Sequence, residues 1–170
     1  MNVLDKLQET TQFIRSKTQI KPRLGIVLGS GLGAFVNHID VKCEISFSEI
    51  PNFVAPSVEG HSGRLVFGEL HGVPLAIMQG RVHYYEGHTM EQVAYPIRTL
   101  AMLGIEVLLL TNSAGGLDPQ MKSGDLMVIE DHINLTGKNP LVGPNINELG
   151  PRFPDMTFAY DPNLKEVIAN

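Results

Sequence analysis

At 170 residues, 43% of them hydrophobic and 18% charged, the chain can bury one core and reads as a single α/β domain over residues 1–170. Its net charge of −5 argues against a nucleic-acid surface, which needs clustered Lys and Arg, so any anionic ligand must be held locally by a few placed donors. Cys43 has no second cysteine to pair with, the opening MNVLDKLQETTQ is too polar for a signal peptide, and no apolar run is long enough to cross a membrane. A cytoplasmic protein without membrane attachment is expected.

In chain order, Val3, Leu4, Leu7 and Ile14 recur at helical spacing and predict an amphipathic helix ending before Lys21-Pro22. Residues 24–28 form a short apolar run bounded by glycine, the pattern of a buried strand, and Gly29-Ser30-Gly31-Leu32-Gly33-Ala34 follows directly with a helix expected behind it. Residues 47–63 look irregular, broken by Pro51 and Pro56. The runs 64–70 and 73–79 flank His71-Gly72 and predict a β-hairpin.

Thr89 stands three residues before Gln92, a capping-box spacing, and Val93, Ile97, Leu100 and Ala101 line one face of the helix it opens. Gly104 is its expected C-cap, and Pro96 is expected to kink or restart it. Residues 106–111 and 126–130 read as further buried strands, and residues 136–154, rich in Gly, Pro and Asn, as a functional loop. Asp161-Pro162 is a helix start, with an N-cap acid and proline at the first helical position. Leu164, Val167 and Ile168 begin an apolar face just before the sequence stops, which reads as truncation. Helices alternating with strands make the class α/β, and the hairpin makes its sheet mixed.

Three segments could carry chemistry. The strand–GSGLGA–helix pattern offers backbone N–H groups and Ser30 to an anion, or is simply a tight turn. Gly29, Gly31 and Ala34 also satisfy a dinucleotide-binding pattern, but the expected clean βαβ unit and closing acid are missing. The run Gly80-Arg81-Val82-His83-Tyr84-Tyr85-Glu86-Gly87-His88 follows a strand. Arg81 is a permanently charged fork for an oxyanion, His83 a neutral donor, and Glu86 an acceptor for a hydroxyl or a protonated phosphate. On an extended segment Arg81, His83 and Tyr85 share one face; the plainer alternative is a solvated strand end with a structural Arg81–Glu86 pair.

The third segment, Thr111-Asn112-Ser113-Ala114-Gly115-Gly116-Leu117, again follows a strand and lets backbone approach a ligand, or turns tightly between elements. His61, between Gly60 and Ser62, either closes over a bound anion or caps the next strand. His38, His71 and His132 read as surface or structural residues. The histidines show no ligand spacing, and no metal site is expected.

The order GSGLG, IPNF, EGHSGRLVFGEL, QGRVHYYEGH, TNSAGGL, GDLMVIEDHINLTG, NPLVGPN, RFPDM resembles the low-mass, homotrimeric purine nucleoside phosphorylases over residues 23–160. GSGLG and QGRVHYYEGH separate it from the hexameric bacterial class and from methylthioadenosine phosphorylases. The resemblance implies a three-layer α/β fold with a central mixed sheet flanked by helices, the chain being the N-terminal part of a nucleoside phosphorylase domain. It implies phosphorolysis of purine nucleosides and deoxynucleosides in purine salvage, with inorganic phosphate as co-substrate and no cofactor. Carried over position by position, Ser30, His61, Arg81, His83, Glu86 and Ser113 would hold phosphate, with His83 and Glu86 catalytic. Tyr85 would contact the ribose, and Phe153 would cover the ribose of a neighbouring subunit in a homotrimer. The base-contacting residues of the family come from chain beyond Asn170, so the 170 residues alone are expected to be nearly inactive. The alternatives are a non-catalytic fragment and a dinucleotide-binding module.

Overall fold

Two segments of the computed structural model, residues 1–113 and 114–170, form separate compact units, and the structure describes residues 1–54 and 63–169. The first unit opens with α1 (Val3–Lys17), whose start is closed by a reciprocal pair: the Asn2 side chain accepts from the Asp5 N–H and the Asp5 carboxylate accepts from the Asn2 N–H. It continues through β1 (Leu24–Leu28), β2 (Asp40–Ser46), β3 (Arg64–Leu70), β4 (Val73–Gln79), α2 (Met90–Leu103) and β5 (Val107–Leu110). The five strands form one mixed sheet in the order β2-β3-β4-β1-β5. β2, β3 and β4 are antiparallel neighbours, whereas β1 runs parallel to both β4 and β5. The expected hairpin is β3–β4, and both turn residues take positive φ, His71 at +50° and Gly72 at +77°.

Strand alternation builds a core on each face. Val27, Leu65, Phe67, Ala76 and Met78 face α1 and α2 and pack with Ile14, Leu100 and Leu103. Ile26, Leu28, Val66, Leu75 and Ile77 point the other way, onto Val36 and Ile39. Phe67 is fully buried, a contribution of about 2–3 kcal/mol by transfer. The two helices are stitched together by Thr10 on α1 and Tyr95 on α2, whose oxygens lie 2.7 Å apart. The Thr10 hydroxyl donates to the Pro51 carbonyl at 2.7 Å, so the Tyr95 O–H must be the donor between the two side chains.

Several expectations need correction. The segment after the first glycine loop is a six-residue 3₁₀ turn (Gly33–His38), not an α-helix, because the chain must leave at once for β2. β2 itself had no counterpart in the sequence reading. α2 runs through Pro96 without a break: Tyr95, Pro96, Thr99 and Leu100 are all buried, and that packing outweighs one lost backbone hydrogen bond.

In the second unit residues 126–130 are not a strand. An apolar run becomes one only when a neighbouring ladder takes up its backbone groups, and here Leu126 is 93% exposed. This unit is irregular apart from a short turn (Asn147–Leu149) and α3 (Pro162–Ala169), whose start is capped as expected. The Asp161 carboxylate accepts from the N–H groups of Asn163 and Leu164 at 2.8 and 3.0 Å.

Candidate functional site

Because β4, β1 and β5 are adjacent and parallel, their carboxyl ends share one edge of the sheet: Leu28 is level with Gln79, and Val27 with Leu110. The loops that begin at Gly29, Gly80 and Thr111 therefore leave side by side, at the kind of edge where open α/β sheets bind ligands. Two of them touch through backbone. A β-carbon on Gly29 would sit 2.7 Å from both the Asn112 Cα and the Thr111 carbonyl oxygen, so only glycine fits there. The Gly29 N–H donates to the Thr111 hydroxyl at 2.8 Å, and that hydroxyl donates to the Val27 carbonyl at 3.0 Å. The Gln79 side-chain amide ties β4 to the same glycine loop by donating to the Gly33 carbonyl at 3.0 Å.

The third loop joins at the same residue. Gly80, at φ +99°, turns the chain out of β4, and Arg81 Nη1 donates to the Thr111 carbonyl at 2.6 Å. Arg81 Nε donates to His83 Nε2 at 3.2 Å. A nitrogen that accepts from arginine carries no proton of its own, so the His83 proton sits on Nδ1 and is donated to Glu86 Oε1 at 2.9 Å. The same carboxylate oxygen accepts the His83 backbone N–H at 2.7 Å, closing the short turn Tyr84–Glu86. The Glu86 side chain is nearly buried, and its other oxygen faces His88 Nε2 at 4.0 Å, a buried nitrogen without a hydrogen-bond partner among the described residues. Arginine, histidine and glutamate thus form a directed chain. Among the described residues Arg81 spends two of its five N–H donors, one on the Thr111 carbonyl and one on His83.

Of the residues singled out in the sequence, Arg81, His83, Tyr85 and Glu86 form one cluster, with Ser30 and Ser113 exposed on the two neighbouring loops. The Tyr85 ring stacks on His83, with centroids 4.9 Å apart and planes 16° apart. That neighbourhood arises from the short turn, not from strand alternation. Glu86 engages His83, where the plainer alternative in the sequence had paired it with Arg81. His61 lies outside the described residues. Phe153 belongs to the second unit, 87% exposed beside Arg152, which braces its own loop by donating to the Gly143 carbonyl at 2.6 Å. Thr111 and His88 went unassigned in the sequence. A threonine ending a strand is too common to stand out, and His88 gains meaning only from its nearness to Glu86.

The glycine loop is less of an anion cradle than its pattern suggests. Its Gly29 N–H is taken by Thr111 and its Leu32 N–H by the Gly29 carbonyl at 3.2 Å, leaving the exposed Ser30-Gly31 tip to face a ligand. The dinucleotide alternative loses its support, since that motif needs an α-helix running into a second parallel strand and here a short turn leads to the antiparallel β2. Among the described residues no group of three His, Cys, Asp or Glu side chains is placed to hold a metal ion, and no helix is long and apolar enough to cross a membrane.

The fold is thus an α/β arrangement with a mixed sheet and a candidate oxyanion cluster at the carboxyl ends of its parallel strands. Residues 23–170 match the family model of the Phosphorylase superfamily, and the chain belongs to that superfamily. Within it the similarity runs to purine nucleoside phosphorylases. The chain is 47% identical to purine nucleoside phosphorylase 1 of Geobacillus stearothermophilus over 161 residues, covering 95% of this chain and 59% of that one. It is 46% identical to the Bos taurus purine nucleoside phosphorylase over 162 residues, 94% of this chain and 56% of that one. A crystal structure of isoform 2 of the Schistosoma mansoni enzyme, in complex with cytosine and ribose-1-phosphate, superposes with a TM-score of 0.88 at 43% identity, covering 96% of this chain and 58% of that one. The chain thus spans somewhat under two thirds of the length of these relatives.

Proposed function

We propose that the chain carries the phosphate- and ribose-binding half of a purine nucleoside phosphorylase, which converts a purine nucleoside or deoxynucleoside and inorganic phosphate into free base and the pentose 1-phosphate. The observation that carries this reading is the junction of three strand-end loops at Thr111, with Arg81, His83 and Glu86 chained beside it. A relative crystallised with ribose-1-phosphate supports the substrate class.

Cleavage of the glycosidic bond passes through an oxocarbenium-like sugar, as in glycoside hydrolysis. Inorganic phosphate is a weak nucleophile in water, so it must be oriented and stripped of solvent beneath the anomeric carbon. In this reading Arg81, Ser30, His61 and Ser113 donate to it there, and Glu86 fixes the His83 tautomer and helps hold a protonated phosphate. His83 meets that phosphate through its unprotonated Nε2, which accepts the phosphate proton once the anion takes its place on Arg81 Nε. One permanent cation among neutral donors leaves the phosphate enough negative charge to stabilise the growing positive charge on the ribose. Tyr85, stacked on His83, meets the ribose, and Phe153 covers a neighbouring subunit's ribose in a cytoplasmic homotrimer. The reaction needs no metal or organic cofactor.

The test is phosphate-dependent release of hypoxanthine from inosine by a longer version of the chain, compared with the 170 residues alone. Cleavage indifferent to phosphate would rule the reading out. In that longer protein Arg81→Ala is expected to remove about 2–4 kcal/mol of transition-state stabilisation, as for other oxyanion donors.

A further inference from the structure

Thr111 makes three contacts that no role in binding or chemistry requires of it. Its hydroxyl spends its one proton on the Val27 carbonyl and accepts the Gly29 N–H, while its carbonyl accepts Arg81 Nη1. One residue therefore sets how far the Ser30 tip stands from the Arg81 guanidinium. We infer that Thr111 is the positioning residue of the oxyanion site, holding the glycine loop by its side chain and Arg81 by its backbone so that both address one tetrahedral anion. The inference rests on the phosphorylase reading above for the identity of that anion.

The plainer account, a threonine that merely finishes β5, predicts something different. The Val27 carbonyl is also held by the Thr111 backbone N–H at 3.0 Å, so the strand pairing survives loss of the hydroxyl. Valine has the shape of threonine and suits a strand end. Its one consequence is to leave the Gly29 N–H without its acceptor, and the strain falls on the loop that carries Ser30, not on the sheet. Glycine at position 29 makes the same point from the other side, because the loop is packed too tightly on residues 111 and 112 to admit a side chain.

The test is calorimetric titration of this 170-residue chain with inorganic phosphate, for the parent, Thr111→Val, Thr111→Ser, Ser30→Ala and the Thr111→Val/Ser30→Ala pair. Thr111→Val is expected to weaken phosphate binding about tenfold with its circular dichroism spectrum retained, and Thr111→Ser, which keeps the hydroxyl, to stay within about threefold of the parent. Ser30→Ala is expected to weaken binding in the parent and to have little further effect once Thr111 is valine, the non-additivity of residues acting through one loop. Equal phosphate affinity in parent and Thr111→Val, or a Ser30→Ala effect that is absent or the same size in both backgrounds, overturns the positioning role while leaving the phosphorylase reading standing. No phosphate binding by the parent sinks that reading, and the inference with it. Should the valine variant fail to fold, Thr111→Ala, which also removes the hydroxyl, takes its place in the same titration: a loss of about tenfold that Thr111→Ser does not share upholds the role of the hydroxyl, and parent-like affinity overturns it.

Discussion

Gly29→Ala tests the close approach of the glycine loop to the end of β5. The new methyl would lie 2.7 Å from two backbone atoms, the Asn112 Cα and the Thr111 oxygen, neither of which can rotate away. Reaching ordinary contact at ~3.5–4.0 Å requires the ends of β1 and β5 to part by roughly 1 Å. The Gly29 N–H to Thr111 hydroxyl bond, now 2.8 Å, does not survive that displacement. Overpacking of this kind costs about 1–3 kcal/mol and the hydrogen bond about 1 kcal/mol more, together about 2–4 kcal/mol. For a chain of this size the melting midpoint should fall by roughly 5–15 °C. The control is Gly31→Ala in the same loop. No atom lies within 4 Å of a β-carbon there, so its cost is the strain of φ +87° alone, about 1–2 kcal/mol. Urea and thermal unfolding of both variants decide the matter. A Gly29→Ala midpoint within 2–3 °C of the parent, on the scale above, or a Gly31→Ala loss larger than that of Gly29→Ala, would refute the close approach of the two loops.

Two further outcomes follow from the first unit. Burial pushes the Tyr95 hydroxyl above its ordinary pKa of 10.0, so its contribution to stability is fully present below that value and fades as pH rises through the higher folded one. Tyr95→Phe should cost about 1 kcal/mol at pH 8 through the lost bond to Thr10, and the gap to the parent should narrow above pH ~10; urea midpoints at the two pH values check this, and a gap that widens contradicts it. Thr89→Ala removes the hydroxyl that accepts the Gln92 N–H at 3.2 Å and should lower stability by about 1 kcal/mol, with Thr89→Ser recovering most of it in thermal unfolding.

Local chemistry alone made much of this molecule legible. Thr89, Gln92 and Gly104 mark both ends of α2, Asp161 caps α3, and alternating apolar residues around His71-Gly72 define the β3–β4 hairpin, because caps, turns and alternation act over a few residues. The ordered motifs carried the family resemblance, and Arg81, His83 and Glu86 stood out because charged and titratable types crowd the end of a strand.

What tertiary structure decided is the arrangement between segments far apart in the chain. That β1 lies between β4 and β5, bringing residues 29, 81 and 111 to one edge, depends on which apolar faces bury together, and no local pattern encodes that choice. Burial likewise carried α2 through Pro96, made a strand of residues 40–46 beside β3, and left residues 126–130 without a ladder. Thr111 became the centre of the site for the same reason: its role consists of bonds to residues 30 and more than 80 positions away, which exist only once the parallel strands have paired.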